Sequence, residues 1–171
     1  MNIDQAKRSF IKDFKKVQSM GFIPSHRKHN TGIGKTFEDL VNVVENNNLL
    51  VDYKGVIELK SQRNFSESYI TLFTKSPTEP NNANRILKEK FGYSDSEHSE
   101  IQVLHTSVFY KNFNKCKEKF GFKLELKDKK LCLLVKNLKT EKIISSEVAW
   151  DLDTLQNIVT QKCSLIAFVG A

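Results

Sequence analysis

Apolar residues recur at spacings of three and four through Ile3, Ala6, Phe10, Phe14 and Val17, the stripe of an amphipathic helix with a basic outer face. Gly21 stops this helix and Pro24 confirms the break. The stretch SHRKHNTGIGK then reads as a loop with basic residues and two glycines. A second helix is expected from Thr36 as N-cap, with Asp39 three residues on in a capping-box position and Phe37, Leu40, Val41 and Val44 as its stripe. Asn46, Asn47 and Asn48 end it.

Strands are expected over residues 49–52 and 56–61. With Tyr53, Lys54 and Gly55 as a three-residue loop, Gly55 left-handed, the two form a hairpin. That register sets Asp52, Val56, Glu58 and Lys60 on one face and Ile57 and Leu59 on the other. A two-residue loop would split Asp52 from Glu58. Further along, strands are expected over 69–74 and 101–109, a short helix over 83–91 closed by Gly92, and a hairpin of 122–126 with 131–135 around the turn DKK. A helix over 150–160, capped near residues 145–151, and a buried strand over 164–169 complete the pattern. Without repeats, low-complexity tracts or linkers, one α/β domain over residues 1–171 is the economical reading.

A chain of 171 residues with 39% hydrophobic and 27% charged residues can bury a sizeable core. No apolar run approaches the ~18 residues of a membrane span, and the N-terminus has no signal-peptide pattern. Cys116, Cys132 and Cys163 are odd in number and far apart, and no histidine pair has ligand spacing. This argues against a disulfide framework or a zinc site and for a reducing cytoplasm. The net charge of +7, with a pI near 9.3, suits a polyanionic partner. Residues 1–35 carry Lys7, Arg8, Lys12, Lys15, Lys16, Arg27, Lys28 and Lys35 against Asp4 and Asp13. The string GIGKT suggests a phosphate-binding P-loop, but the required glycine five residues before Gly34 is His29 and no strand precedes it. No nucleotide cofactor is expected.

Asp52 followed by Glu58-Leu59-Lys60 is the pattern with chemistry in it. Two carboxylates on adjacent strands can share a hard divalent cation through oxygen ligands. The lysine, two residues from Glu58 on the same face, can hold or help deprotonate an attacking water, and Leu59 leaves its carbonyl available to the metal. The same three-letter string recurs at Glu125-Leu126-Lys127, without an upstream acid on a paired strand, and reads there as a solvated face. Gln62 and Arg63, just beyond Lys60, are side chains suited to base edges, and Arg27, Lys28 and Lys35 to phosphates. His105 reads as a core histidine and Trp150 as core rather than a stacking platform.

The blocks TGIGKT-x-E-D-L, G-x-x-E-L-K-S-Q-R and ITLFTK-x-P, in this order, make the chain resemble the MvaI/BcnI family of type II restriction endonucleases over about residues 22–169. That family is similar in turn to the MutH mismatch-repair nickase. The resemblance implies a restriction-endonuclease-like α/β fold, a mixed sheet flanked by helices, and cleavage of double-stranded DNA at a short site. It implies that Asp52 and Glu58 bind catalytic Mg2+, that Lys60 serves the attacking water, and that Glu38 is the helix glutamate facing the site, with helix N-terminal charge as its alternative role. Two departures stand out. Val51 replaces a proline of the wider superfamily, and family members run on past the strand matching 164–169, so the chain is expected to lack their C-terminal portion. Three readings follow: a restriction enzyme, monomeric or paired with a chain supplying that portion; a MutH-like nickase; or a truncated, non-catalytic DNA-binding domain.

Overall fold

The structure, a computed structural model, describes residues 1–29, 31–44 and 51–171. In chain order its elements are α1 (Ile3–Gln18), α2 (Gly32–Leu40), β1 (Glu58–Gln62), α3 (Ala83–Phe91), β2 (Tyr93–Ser94), β3 (Gln102–Val103), β4 (Phe120–Lys127), β5 (Lys130–Asn137), β6 (Ile143–Asp151), α4 (Leu152–Cys163) and β7 (Ile166–Gly170). The fold is mixed α/β, as the pattern indicated. Its contacts divide the chain into two compact units, Met1–Thr74 with Asn157–Ala171, and Lys75–Gln156.

In the first unit, α1 begins with a reciprocal cap: Gln5 N donates to the Asn2 side chain at 2.8 Å and Asn2 N to the Gln5 side chain at 3.3 Å. Its stripe buries Ala6 completely and sets Phe10 and Phe14 edge-on to Phe37 and, for Phe10, to Tyr53. Val41, Ile57, Leu59 and Val169 complete this core. The last strand, β7, runs parallel to β1 with Glu58 opposite Ile166 and Gln62 opposite Gly170.

The second helix departs from expectation at both ends. It starts at Gly32 inside the stretch read as a loop, with Thr31 as its cap and no side-chain cap bond. The reason is the glycine: a Cβ at position 32 would lie 2.2 Å from both the Arg27 carbonyl oxygen and Ser25 Oγ, so only glycine lets the preceding loop close over the first turn. Thr36 is therefore mid-helix, donating back to the Gly32 carbonyl at 2.8 Å and accepting from His26 N at 2.8 Å. The helix ends at Leu40 in a Schellman arrangement: Asn42 has φ 59°, its N–H donates to the Asp39 carbonyl, and Val43 N–H to that of Glu38. Val44 thus lies past the helix and is exposed. Glu45, the three asparagines 46–48 and the start of the strand expected over 49–52 fall outside the described residues; Val51 and Asp52 are not in a strand.

In the second unit, β4, β5 and β6 form an antiparallel sheet in that order and β2 pairs with β3. The β4–β5 hairpin turns on Asp128 and Lys129, both left-handed, so its loop is one residue shorter than DKK. Phe91 and Leu87 of α3 pack on Phe120, Phe122, Leu133, Val135 and Val148. Trp150 is a strand residue opposite Leu131, not the start of a helix; its indole packs on this core and donates to the Lys75 carbonyl at 2.9 Å. The helix begins two residues later, where Asp151 Oδ2 accepts from Thr154 N at 2.7 Å. Residues 69–74 are not a strand: Tyr69, Ile70 and Leu72 are all exposed, so neither alternate set meets a buried face. Of the strand expected over 101–109 only Gln102–Val103 forms, and His105 is exposed rather than core.

Candidate active site

Tyr53 and Ile57 exchange backbone hydrogen bonds at 2.8 and 3.1 Å, closing a three-residue loop of Lys54, Gly55 and Val56. Lys54 and Gly55 are both left-handed, φ 53° and 68°. The loop has the expected length but sits one residue later, which places Asp52 directly across from Glu58. Tyr53 locks this turn to α1: its ring is 1% exposed and its hydroxyl donates to Asp13.

Along β1 the backbone groups of alternate residues serve opposite edges. Glu58 N donates to the Leu165 carbonyl and the Gln62 carbonyl accepts from Ala171 N, both on the β7 side. Leu59 projects to the other edge, where its N–H donates to Asp52 Oδ2 at 2.8 Å. The Leu59 carbonyl shares that edge with Asp52. Among the described residues, Asp52 Oδ1 takes no hydrogen bond.

Glu58 is 4% exposed, an unusual place for a carboxylate unless cations accompany it. Two do. Lys60 Nζ lies 2.7 Å from Oε1, and Lys162 Nζ, from the last turn of α4, lies 3.3 Å from Oε2. The three side chains are largely withdrawn from water, 5% exposed for Glu58, 20% for Lys60 and 18% for Lys162. Lys162 is the residue that sequence reasoning missed. It stands 104 positions from Glu58, beyond the expected end of its helix, and only the parallel pairing of β7 with β1 brings it back.

Lys60 also lines a cleft of about 560 Å³ with Glu38, Gly34, Lys35, Arg27, Ser61, Gln62 and Arg63. Four cations and one carboxylate stand on this wall. Gly34 brings α2 against β1: a Cβ there would meet Ser61 Oγ at 3.4 Å and Glu38 Oε1 at 4.0 Å. Glu38 therefore reaches the cleft beside Lys60. Lys35 lies 2.7 Å from Asp39, whose other oxygen lies 3.0 Å from His26 Nδ1. The hydrogen bond from Lys35, then that from His26, holds the Asp39 carboxyl below the usual aspartate range. Gln62 donates to the Ser68 carbonyl at 2.7 Å and so ties down the loop that follows β1. Lys28 is exposed and does not line the cleft. The second Glu-Leu-Lys string lies at the turn end of β4, where Leu126 and Lys127 are exposed.

The donor set fits a hard divalent cation. It offers one carboxylate oxygen on Asp52 without a hydrogen bond, a backbone carbonyl on the same edge, and a buried carboxylate already matched to positive charge. Among the described residues no group of three or more His, Cys, Asp or Glu side chains stands in metal-holding array, so such an ion would complete its shell with backbone, water and substrate oxygens.

Paired carboxylates and a sequestered lysine on the edge of an α/β strand, beside a basic cleft, are the equipment of a nuclease. The model of the MvaI/BcnI restriction endonuclease family matches residues 11–171, and the chain belongs to that family of type II site-specific deoxyribonucleases. Among solved structures it is similar to restriction endonuclease MvaI in complex with its cognate DNA substrate, at a TM-score of 0.89 and 32% identity over 100% of this chain and 68% of that one. It is similar as well to MvaI in the absence of DNA, at 0.52 and 29% over 78% and 60%. No curated protein matches the chain.

Proposed function

We propose that this chain hydrolyses phosphodiester bonds of double-stranded DNA at a short recognition site with Mg2+ as cofactor, in the cytoplasm of a cell that carries a restriction system. The observation that carries the reading is the buried Glu58–Lys60 pair at 2.7 Å with Asp52 on the adjoining strand edge. Asp52, Glu58 and the Leu59 carbonyl would hold the ion, which when bound neutralises the scissile phosphate and makes water a stronger nucleophile. Lys60 holds that water on the cleft side of Glu58 and offsets the charge that builds on the phosphate. Glu38, facing the same cleft from α2, orients the water's second proton. Arg27, Lys35 and Arg63 on the cleft wall contact phosphates, and Gln62 with Arg63 approaches the bases; Lys28, expected among the phosphate contacts, stands outside this wall. The likeness to an enzyme solved on its cognate DNA supports the choice of partner. Three free cysteines suit a reducing compartment. Residues 1–171 serve as one nuclease domain.

Supercoiled plasmid incubated with Mg2+ or with EDTA tests the proposal, beside Lys60→Ala. Discrete linear fragments that need both Mg2+ and Lys60 are expected. An open-circular product would replace the restriction reading by a MutH-like nickase, and salt-sensitive binding without cleavage would leave a DNA-binding domain. Cleavage by Lys60→Ala at the wild-type rate would sink the mechanism.

A further inference from the structure

Glu58 is flanked by two ammonium groups that come from different parts of the chain. Lys60 is its neighbour at i+2 on β1 and faces the cleft. Lys162 arrives from α4 and touches the other carboxylate oxygen, Oε2, at 3.3 Å. The reading of Lys60 as the residue beside the water gives it work in the cleavage step; Lys162 has none. Yet the protein brings its charge to a carboxylate that is 4% exposed.

A carboxylate so far from water needs a counter-charge at all times, with or without a metal. From this we propose that Lys162 is a positioning residue that stands in for the divalent cation at Glu58. In the metal-free protein its ammonium lies against Oε2 and keeps the carboxylate aimed. When the cation binds, Lys162 yields Oε2 to it. The inference rests on the assignment of Glu58 as a metal ligand. It adds that two positive groups compete for one oxygen, so the metal-free fold is stabilised at the expense of metal affinity.

The competition has a sign that a merely structural lysine would not give. Replacing Lys162 by methionine keeps the alkyl stem and removes the charge. The metal-free protein then loses stability, because one buried carboxylate oxygen is left uncompensated, while the cation meets less repulsion and binds more tightly.

The measurement is the thermal midpoint of DNA-free protein against Mg2+ concentration, starting in EDTA, so that no cleavage enters the readout. Lys162→Met is expected to unfold at least roughly 5 °C below wild type in EDTA. It should reach half of its Mg2+-dependent rise at a concentration at least about fivefold lower. Lys162→Arg, which restores the charge, should follow wild type in both. In a Glu58→Gln background the Lys162→Met change should lower the midpoint by no more than about 2 °C, since neither partner is then left alone.

An Mg2+ requirement of Lys162→Met equal to or higher than that of wild type, with the Mg2+-dependent rise abolished by Glu58→Gln, would overturn the stand-in role and leave the metal site assigned. A wild-type midpoint indifferent to Mg2+ would instead remove the metal from Glu58, and the stand-in role with it. If Lys162→Met folds only when Mg2+ is present, the proposal is supported. If it fails to fold in either condition, the Glu58→Gln, Lys162→Met double variant decides: folding supports the charge pairing, and failure to fold overturns it.

Discussion

Replacing Asp52 by alanine and by asparagine separates two jobs that the side chain performs. Its Oδ2 accepts the Leu59 N–H at 2.8 Å, and Leu59 is 6% exposed, so that N–H cannot turn to bulk water. Alanine leaves a buried donor unpaired, a cost of about 2 kcal/mol. Asparagine still offers an oxygen to the donor but loses the charge that strengthens the bond, a cost of about 1 kcal/mol. For a chain of 171 residues, each kcal/mol lowers the midpoint by roughly 2–4 °C. Thermal unfolding in EDTA should therefore rank wild type above asparagine and asparagine above alanine, with steps of roughly 3 °C. Cleavage of supercoiled plasmid in Mg2+ should not follow that ranking. Both variants lack an anionic oxygen for the ion, and both should lose at least about a hundredfold in rate. Asparagine as unstable as alanine would show that the Leu59 bond contributes nothing. Asparagine cleaving within about tenfold of wild type would remove Asp52 from the metal site.

Gly32→Ala should cost about 1–3 kcal/mol in urea unfolding, because its Cβ would press on the Arg27 carbonyl 2.2 Å away; a change under about 0.5 kcal/mol would show that the loop shifts freely. Asp39 has its carboxyl held low by Lys35 and His26, so its ionised form favours the folded state. That contribution is fully present above the ordinary value of 3.8 and disappears as pH falls through the lowered one. The midpoint gap between wild type and Asp39→Asn should accordingly be constant near neutrality and close in the acid range, and a gap that widens there would contradict the pairing. Arg63→Ala should weaken DNA binding and flatten its dependence on log salt by about one unit, whereas Lys28→Ala, away from the cleft, should change the slope less; equal slopes would take the cleft off the phosphate path.

What the chain pattern revealed and what it concealed divide along one physical line. Properties written within a few residues were legible: the stripe of α1, α3 with its glycine stop, the β4–β5 hairpin, and the clustering of Asp52, Glu58 and Lys60. The loop between Asp52 and Glu58 sits one residue off the expected register, but a loop of three residues in either place leaves both acids on one face. That geometry depends on loop length, which sequence shows better than it shows the pairing partner. The beginning of α2 was hidden because the reason Gly32 opens a helix is a contact with Ser25 and Arg27, not a local preference. The strand–helix change at Asp151 was hidden because the apolar residues of β6 satisfy either period until β5 is beside them.

The same line runs through the site. Glu58-Leu59-Lys60 and Glu125-Leu126-Lys127 are one string, yet the first is enclosed and the second runs out into solvent at the end of a hairpin. Enclosure is what separates the two copies. A carboxylate in water can keep its charge alone, but a carboxylate at 4% exposure requires cations beside it, and Lys60 and Lys162 supply them. Nothing in the hexapeptide around Glu58 announces this. It arises from β7 covering the edge of β1 and from α4 delivering Lys162 to Oε2, contacts that join residues more than a hundred positions apart.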